Sequence, residues 1–214
     1  MASFNLQNYL IMDRVVEGKW RRDYPKPEKE KRALRSILKE VDADIVAFQE
    51  MGGRPFLNEL WMDLNVTKGP VYPHAIWMPA GDPEEVRHLA LFSKIPFGSI
   101  RMHHDIEFPY FGDRKTPDRG VLEVTFDSNG TKWKLLNLHL KSKWTERKDD
   151  PDASIRRERE ARAIRDYLRK SNPPESNPRY LVVGDFNDHR NSAPMRRFLQ
   201  VNDTVLTSMI PCED

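Results

Sequence analysis

Short apolar runs broken by turn residues dominate this chain, and they predict its elements in order. Residues 2–6 read as the end of a strand, with Asn5 at its tip and Gln7 and Asn8 just past it. Residues 13–28 are charged and carry Pro25 and Pro27, which predicts a loop. Ala33, Leu34, Ile37, Leu38 and Val41 recur at a spacing of three and four, so 28–41 is expected to be a helix with those residues on one face. An apolar strand over 44–50 ends on Glu50, Gly52-Gly53 breaks the chain, and 55–64 suggests a second helix. Strands are then predicted at 74–78, 88–93, 98–103, 120–126 and 132–140, separated by turn signals. One of these, Asn129-Gly130 between two alternating runs, predicts a tight hairpin. A long helix over 154–170 would turn Ile155, Ala161, Ile164 and Leu168 inward, a loop rich in Pro, Asn and Ser covers 171–178, and a last helix is expected at 193–199. Between loop and last helix, Tyr180-Leu181-Val182-Val183 reads as a buried strand. Strands outnumber helices and the two kinds mix throughout, with no repeat or linker. The expectation is a single domain over residues 1–214, α/β or α+β, with sheet packed on sheet.

Composition changes this picture little. A chain of 214 residues with 38% hydrophobic content can bury a core of useful size. Lys plus Arg number 35 against 33 Asp plus Glu, and a formal net charge of +2 is too weak to argue for a nucleic-acid partner by itself. The lone cysteine, Cys212, excludes an intrachain disulfide. No run approaches the ~18 apolar residues of a membrane span. No signal peptide is visible, so a secreted and a cytoplasmic location both stay open, and nothing in the sequence sets an oligomeric state.

Candidate chemistry gathers at the strand ends. The strand at 180–183 runs into Gly184-Asp185-Phe186-Asn187-Asp188, which places an acid, an amide and a second acid at its carboxyl end. Such an exit points hard oxygen ligands into the crevice where α/β sheets bind substrates, although turns use the same residue types. Asn5 and Glu50 close two other strands. In Leu135-Leu136-Asn137-Leu138-His139-Leu140 the polar residues alternate, so Asn137 and His139 share one face of a strand. A histidine on a polar face is available to chemistry.

In order along the chain, Ser3-Phe4-Asn5-Leu6, the run DIVAFQE at 44–50, Arg119-Gly120, Asn137-Leu138-His139 and GDFND at 184–188 resemble the endonuclease/exonuclease/phosphatase family, the group of DNase I, exonuclease III and the sphingomyelinases. The first run is similar to the bacterial branch. His139 places the chain on the DNase I and phosphatase side of the group. The resemblance implies a four-layer sandwich, two face-to-face β-sheets flanked by helices. It implies water attack on a phosphate ester assisted by Mg²⁺ or Mn²⁺, because a hard cation neutralises the anionic ester before water can reach it. Carried onto this sequence, Glu50 is the principal metal ligand with Asn5 beside it. Asp185 orients or deprotonates the water, Asn187 holds a phosphoryl oxygen, and His139 donates to the developing charge. Arg119 and Asn137 bind the substrate phosphate, the alternatives being that Arg119 is only a turn cation and that Asn137 only buttresses the site through hydrogen bonds.

The substrate expected from this wording is nucleic acid, with a small or lipid phosphoester as the alternative and a non-catalytic binding domain of the same fold as the third reading. Lys141, Lys143 and Trp144 follow the His139 strand and suit a phosphate backbone or a stacked base. The arginines at 156, 157, 159, 162, 165 and 169, interleaved with Glu158, Glu160 and Asp166, read as a solvated, salt-bridged helix face. The family's closing Ser-Asp-His triplet does not follow GDFND, so the resemblance implies a domain incomplete at its C-terminus, with an unpaired sheet edge and weak catalysis.

Overall fold

A computed structural model describes residues 1–66, 71–201 and 204–209; the lone thiol, Cys212, lies outside them. The elements run β1 (Ala2–Tyr9), β2 (Ile11–Val16), β3 (Lys19–Pro25), α1 (Glu28–Val41), β4 (Ile45–Met51), α2 (Arg54–Asn65), β5 (His74–Met78), β6 (His88–Ser93) and β7 (Ile100–His103). They continue as β8 (Phe108–Tyr110), β9 (Asp113–Lys115), β10 (Val121–Ser128), β11 (Thr131–His139), α3 (Ser154–Ser171), β12 (Tyr180–Asp185), α4 (Ala193–Leu199), β13 (Gln200–Val201) and β14 (Thr204–Val205). Two compact units form, each assembled from separated stretches: Met1–His104 with Asp118–His139 and Arg179–Asp185, and Asp105–Pro117 with Leu140–Pro178 and Phe186–Asp214.

The first unit holds two four-stranded sheets, ordered β1-β4-β6-β5 and β12-β11-β10-β7. Their facing side chains make one core: Ile45, Ile76, Leu89 and Leu91 from the first sheet meet Leu122, Val124, Phe126 and Leu135 from the second. The opposite face of the first sheet, with Val46, Phe48, Ala90 and Phe92, packs on Leu34 and Leu38 of α1 and Leu57, Leu60 and Leu64 of α2. β4 is therefore covered on both sides, which explains why its sequence is a near-continuous apolar run instead of an alternating one. The mixed α/β class and the face-to-face sheets are as expected.

The helix at 28–41 has the predicted bounds but a narrower apolar stripe. Ile37 and Val41 are exposed; Leu34, Leu38 and the stem of Lys31 are the buried positions. Lys31 reaches the core because its ammonium is held 2.6 Å from Glu59 and lies over the Tyr9 ring. Residues 13–28 are not a loop. They contribute the β2–β3 hairpin, which turns at Glu17-Gly18 with φ of 50° and 74°. Positive φ at both central residues is the hairpin geometry that matches strand twist. Its side chains are largely exposed, Trp20 at 63% among them, so no buried alternation marked it in the sequence. The Asn129-Gly130 turn between β10 and β11 has the same geometry, φ 54° and 78°, as predicted.

The second unit is built on α3. Tyr110 and the backbone of Ile155 and Arg156 all donate to the buried Asp150 carboxylate, which closes the first turn of α3. A hairpin, β8–β9, was not anticipated in the sequence. The arginine-rich face is a correction: Arg157 and Arg165 are only 1% exposed, and Glu160 is buried with them. Arg157 donates from Nε to Asp188 Oδ2 at 2.9 Å and from Nη1 to the Lys141 and Asp152 carbonyls. Arg157 thus has a carboxylate for its charge and acceptors at Nε and Nη1, which is what burial of a guanidinium demands.

Gly184 is the tightest point of the second sheet. With φ +138° it lies so close to β11 that an added Cβ would meet the Leu138 carbonyl oxygen at 1.9 Å. Gly184→Ala should cost more than about 3 kcal/mol of stability or abolish folding, whereas Gly130→Ala, open at a turn, should cost about 1 kcal/mol. Urea denaturation of the two variants checks the contrast.

Candidate active site

Two parallel strand pairs deliver their carboxyl ends to one place. β1 pairs with β4 so that Asn5 opposes Gln49, and β11 pairs with β12 so that His139 opposes Asp185. The first pair is bulged there. Its register slips after Asn5, and Gln7, Asn8 and Glu50 take φ values of 49°, 61° and 58°. Left-handed backbone costs on the order of 1 kcal/mol at a Gln or Glu and persists only where surroundings impose it. Here the Asn8 N–H donates to Glu50 Oε2 at 2.7 Å, and Gln7 N–H donates to Asn5 Oδ1 at 2.8 Å.

These bulges aim side chains at each other. Asn5 Nδ2 donates to Asp185 Oδ2 at 2.7 Å and to Glu50 Oε1 at 3.2 Å, so two carboxylates converge on one amide. His139 Nε2 lies 3.9 Å from Glu50 Oε1, beyond hydrogen-bond reach, and its Nδ1 is buried without a partner among the described residues. The imidazole is 3% exposed. Burial and the nearby Arg119 charge outweigh the pull of Asp185 and Glu85 and bring its pKa down to about 4. His139 is therefore neutral at physiological pH and can donate one N–H, not two.

Arg119 is also buried, at 4% exposure. The following Gly120 permits its position: φ is +68°, and a Cβ there would meet the His103 carbonyl at 2.6 Å. Arg119 Nη2 pairs with Glu85 Oε2 at 2.5 Å, while Nε and Nη1 are buried with no partner among the described residues. A guanidinium with two unpartnered buried donors is costly unless an anion meets them, so the expected phosphate-binding residue carries the capacity for it.

Asn137 requires correction. It is wholly buried, because the polar face of β11 looks into the gap between the sheets and not toward solvent. Its Nδ2 donates to the Phe48 and Ala90 carbonyls at 3.0 and 3.2 Å, and its Oδ1 accepts from Gln49 Nε2 at 2.7 Å. Both amide donors are used by the protein, which leaves none for a substrate phosphate. Asn5 also differs from expectation: its amide oxygen, the atom a metal would need, is turned to Gln7 and its nitrogen to the carboxylates. Asn187 belongs to the second unit, with φ 52° and Nδ2 donating to the Leu140 carbonyl at 2.9 Å. Glu85 and Arg87 were missed in the sequence, because they lie between the turn at 79–83 and the strand expected at 88–93; Asn8 was placed just past the first strand's tip but given no role.

Among the described residues no group of three or more His, Cys, Asp or Glu gathers as a metal site. The converging Glu50 and Asp185 carboxylates nevertheless fit a hard cation, since Mg²⁺ is commonly held by one or two carboxylates and otherwise keeps its water.

The model of the Endonuclease/Exonuclease/phosphatase family matches residues 2–203. The chain belongs to this family. Among solved structures, it resembles a mutant beta toxin from Staphylococcus aureus with bound magnesium ions, at 17% identity and TM-score 0.59, covering 80% of this chain and 61% of that one. It also resembles the human Nocturnin catalytic domain with bound sulfate, at 15% identity and TM-score 0.60, covering 83% and 63%. Sphingomyelinase C from Streptomyces griseocarneus matches at 16% identity and TM-score 0.61, covering 92% and 67%. At these identities the likeness establishes the DNase I-like fold, and this family member spans under two thirds of the length of the first two. No curated protein matches in sequence.

The depressed His139 pKa has a consequence of definite sign. The unfolded imidazole takes a proton near pH 6.5 and the folded one only near 4, so the unfolded state binds more protons between them and stability falls as pH drops through that window. Between pH 7 and pH 5 this group should remove about 2 kcal/mol, and His139→Gln should abolish that portion of the pH dependence in urea titrations. Asn137→Ala should cost about 2–4 kcal/mol by leaving buried carbonyls and the Gln49 amide unpaired, measured the same way.

Proposed function

We propose that this chain carries the site of a divalent-metal-dependent phosphodiesterase acting on nucleic acid. The observation that supports it best is the adjacency of opposites. A pair of convergent carboxylates, Glu50 and Asp185, shares one pocket of charge with a neutral His139 and with Arg119, whose Nε and Nη1 have no partner among the described residues. Anion donors beside a hard-oxygen pair suit an ester that is itself anionic.

In this reading Glu50 is the principal residue to hold Mg²⁺ or Mn²⁺, and Asn5 joins it if its amide turns over. The ion, when bound, neutralises the ester and lowers the pKa of coordinated water. Arg119 takes a non-bridging phosphate oxygen through Nε and Nη1. His139, neutral, donates a hydrogen bond to the charge that grows on phosphorus oxygens in the transition state. Asp185, held by Asn5, accepts a proton from the attacking water.

The nucleic-acid preference rests on Lys141 and Trp144. The Trp144 ring is 71% exposed with the Lys141 ammonium 5.7 Å from its centroid, a surface that suits a stacked base. A small or lipid phosphoester is the second reading, because one structural neighbour is a sphingomyelinase.

Plasmid DNA, RNA, sphingomyelin vesicles and a phosphomonoester, each with Mg²⁺, Mn²⁺ or chelator, separate these readings. Hydrolysis of a nucleic acid that stops with chelator, and falls roughly 100-fold or more in Glu50→Gln and His139→Ala, is expected. Undiminished rates in chelator would overturn the metal, and undiminished rates in both variants would overturn the site.

A further inference from the structure

Arg119 does not stand alone, and its partner is a residue the proposed chemistry does not use. We propose that Glu85 is a positioning residue: it holds Arg119 as a buried anion receptor and, through Arg87 and Asn8, ties that receptor to the Glu50 carboxylate.

The links are continuous. Glu85 Oε2 accepts from Arg119 Nη2 at 2.5 Å. Glu85 Oε1 accepts from the Arg87 backbone N–H at 3.0 Å and from Arg87 Nη1 at 3.2 Å. Arg87 Nε donates to Asn8 Oδ1 at 2.7 Å, and the Asn8 N–H donates to Glu50 Oε2 at 2.7 Å. Every bond runs from a donor to an acceptor, and charge alternates along the chain from guanidinium to carboxylate to guanidinium.

The loop that carries Glu85 is itself anchored to the segment that carries Arg119. The N–H groups of Gly81 and Asp82 both donate to the Asp118 carbonyl, at 2.9 and 3.2 Å. Glu84 N–H donates to Asp82 Oδ1, and Glu85 N–H to the Asp82 carbonyl. Glu85 is thus set before any ligand arrives, and it occupies only one corner of the guanidinium. The other two donor nitrogens, Nε and Nη1, have no partner among the described residues. Full neutralisation for stability would have matched the fork with both carboxylate oxygens; here the second oxygen goes to Arg87 instead. That division fits an orienting role: one bond fixes the plane of the guanidinium and two donors stay for an incoming oxyanion.

A rival role for Glu85 is charge masking. The two make opposite predictions for anion affinity, because removing a mask tightens binding and removing a support loosens it. This inference rests on the reading of Arg119 as the phosphate grip, and the test separates the two.

Inorganic phosphate binding is measured by calorimetry on the whole chain, and Mn²⁺ binding by electron paramagnetic resonance. The wild type, Arg119→Ala, Glu85→Ala, Glu85→Gln and Arg87→Ala are compared, each first shown to be folded by near-ultraviolet dichroism. Glu85→Ala should weaken phosphate about 10-fold, and Glu85→Gln, which keeps an acceptor but no charge, should recover most of that. Arg87→Ala should weaken Mn²⁺ by at least 3-fold while phosphate changes less. Phosphate bound as tightly or more tightly by Glu85→Ala would overturn the positioning role. Mn²⁺ affinity unchanged in Arg87→Ala would overturn the link to Glu50. Phosphate affinity unchanged in Arg119→Ala would instead overturn the phosphate grip itself, whatever Glu85 does. If Glu85→Ala does not fold, Glu85→Gln carries the test: affinity tightened as in an unmasked cation would overturn the proposal, and affinity near that of the wild type would support it.

Discussion

The hydrogen bonds of Asn137 are the constraint on which the rest of the site depends. They reach from β11 across the gap between the sheets to the Phe48 and Ala90 carbonyls. Those residues face each other just before the β4–β6 register slips. A bulge leaves backbone groups at odds with the ladder, and a buried carbonyl without a donor is expensive. Asn137 supplies both donors from the opposite sheet, so β4 can bulge at that point. The bulge in turn gives Glu50 its left-handed backbone and rotates its carboxylate toward Asn5. A residue with no hydrogen bond left for a ligand thereby sets where the carboxylate stands.

The electrostatics follow from the same burial. Three carboxylates, two guanidinium groups and one imidazole sit among well-packed strands where charges interact strongly. Glu85 and Glu50 are each tied into one hydrogen-bonded chain by Arg87 and Asn8, and Asn5 joins Glu50 to Asp185. His139, the group with the least tolerance for desolvation, gives up its charge and stays neutral. What remains unmet among the described residues is donor capacity on Arg119, close to the convergent carboxylates of Glu50 and Asp185. In the second unit, by contrast, the buried Arg157 guanidinium is met by the Asp188 carboxylate.

Much of this was legible in residue order. The apolar run before Glu50, the Asn129-Gly130 turn and the run before GDFND each state a local preference that no tertiary contact overrode, although the last strand, expected to be buried, is half-buried along its length. The family resemblance rested on Asn5, Glu50, Arg119, His139 and Asp185, and the structure draws these together in one unit. The β2–β3 hairpin escaped notice because its side chains face solvent and so carry no buried alternation. The arginine-rich helix misled for a related reason: sequence gives the spacing of charges but not their partners, and Asp188, 31 residues from Arg157, is reached only through the fold.

What the sequence by itself determined is the set of elements and the chemistry at their ends, because strand, turn and helix preferences are local and the ligating residue types are few. Only the tertiary structure decided which of those residues keep free capacity. Asn137 and His139 share a strand face two residues apart, yet one spends its amide on two backbone carbonyls and Gln49, and the other has a ring nitrogen with no partner among the described residues. That difference comes from what each position faces across the gap, which is a property of packing between residues up to 89 apart. Glu85 makes the same point from the other side: in sequence it is one acid in a turn, and the fold gives it Arg119.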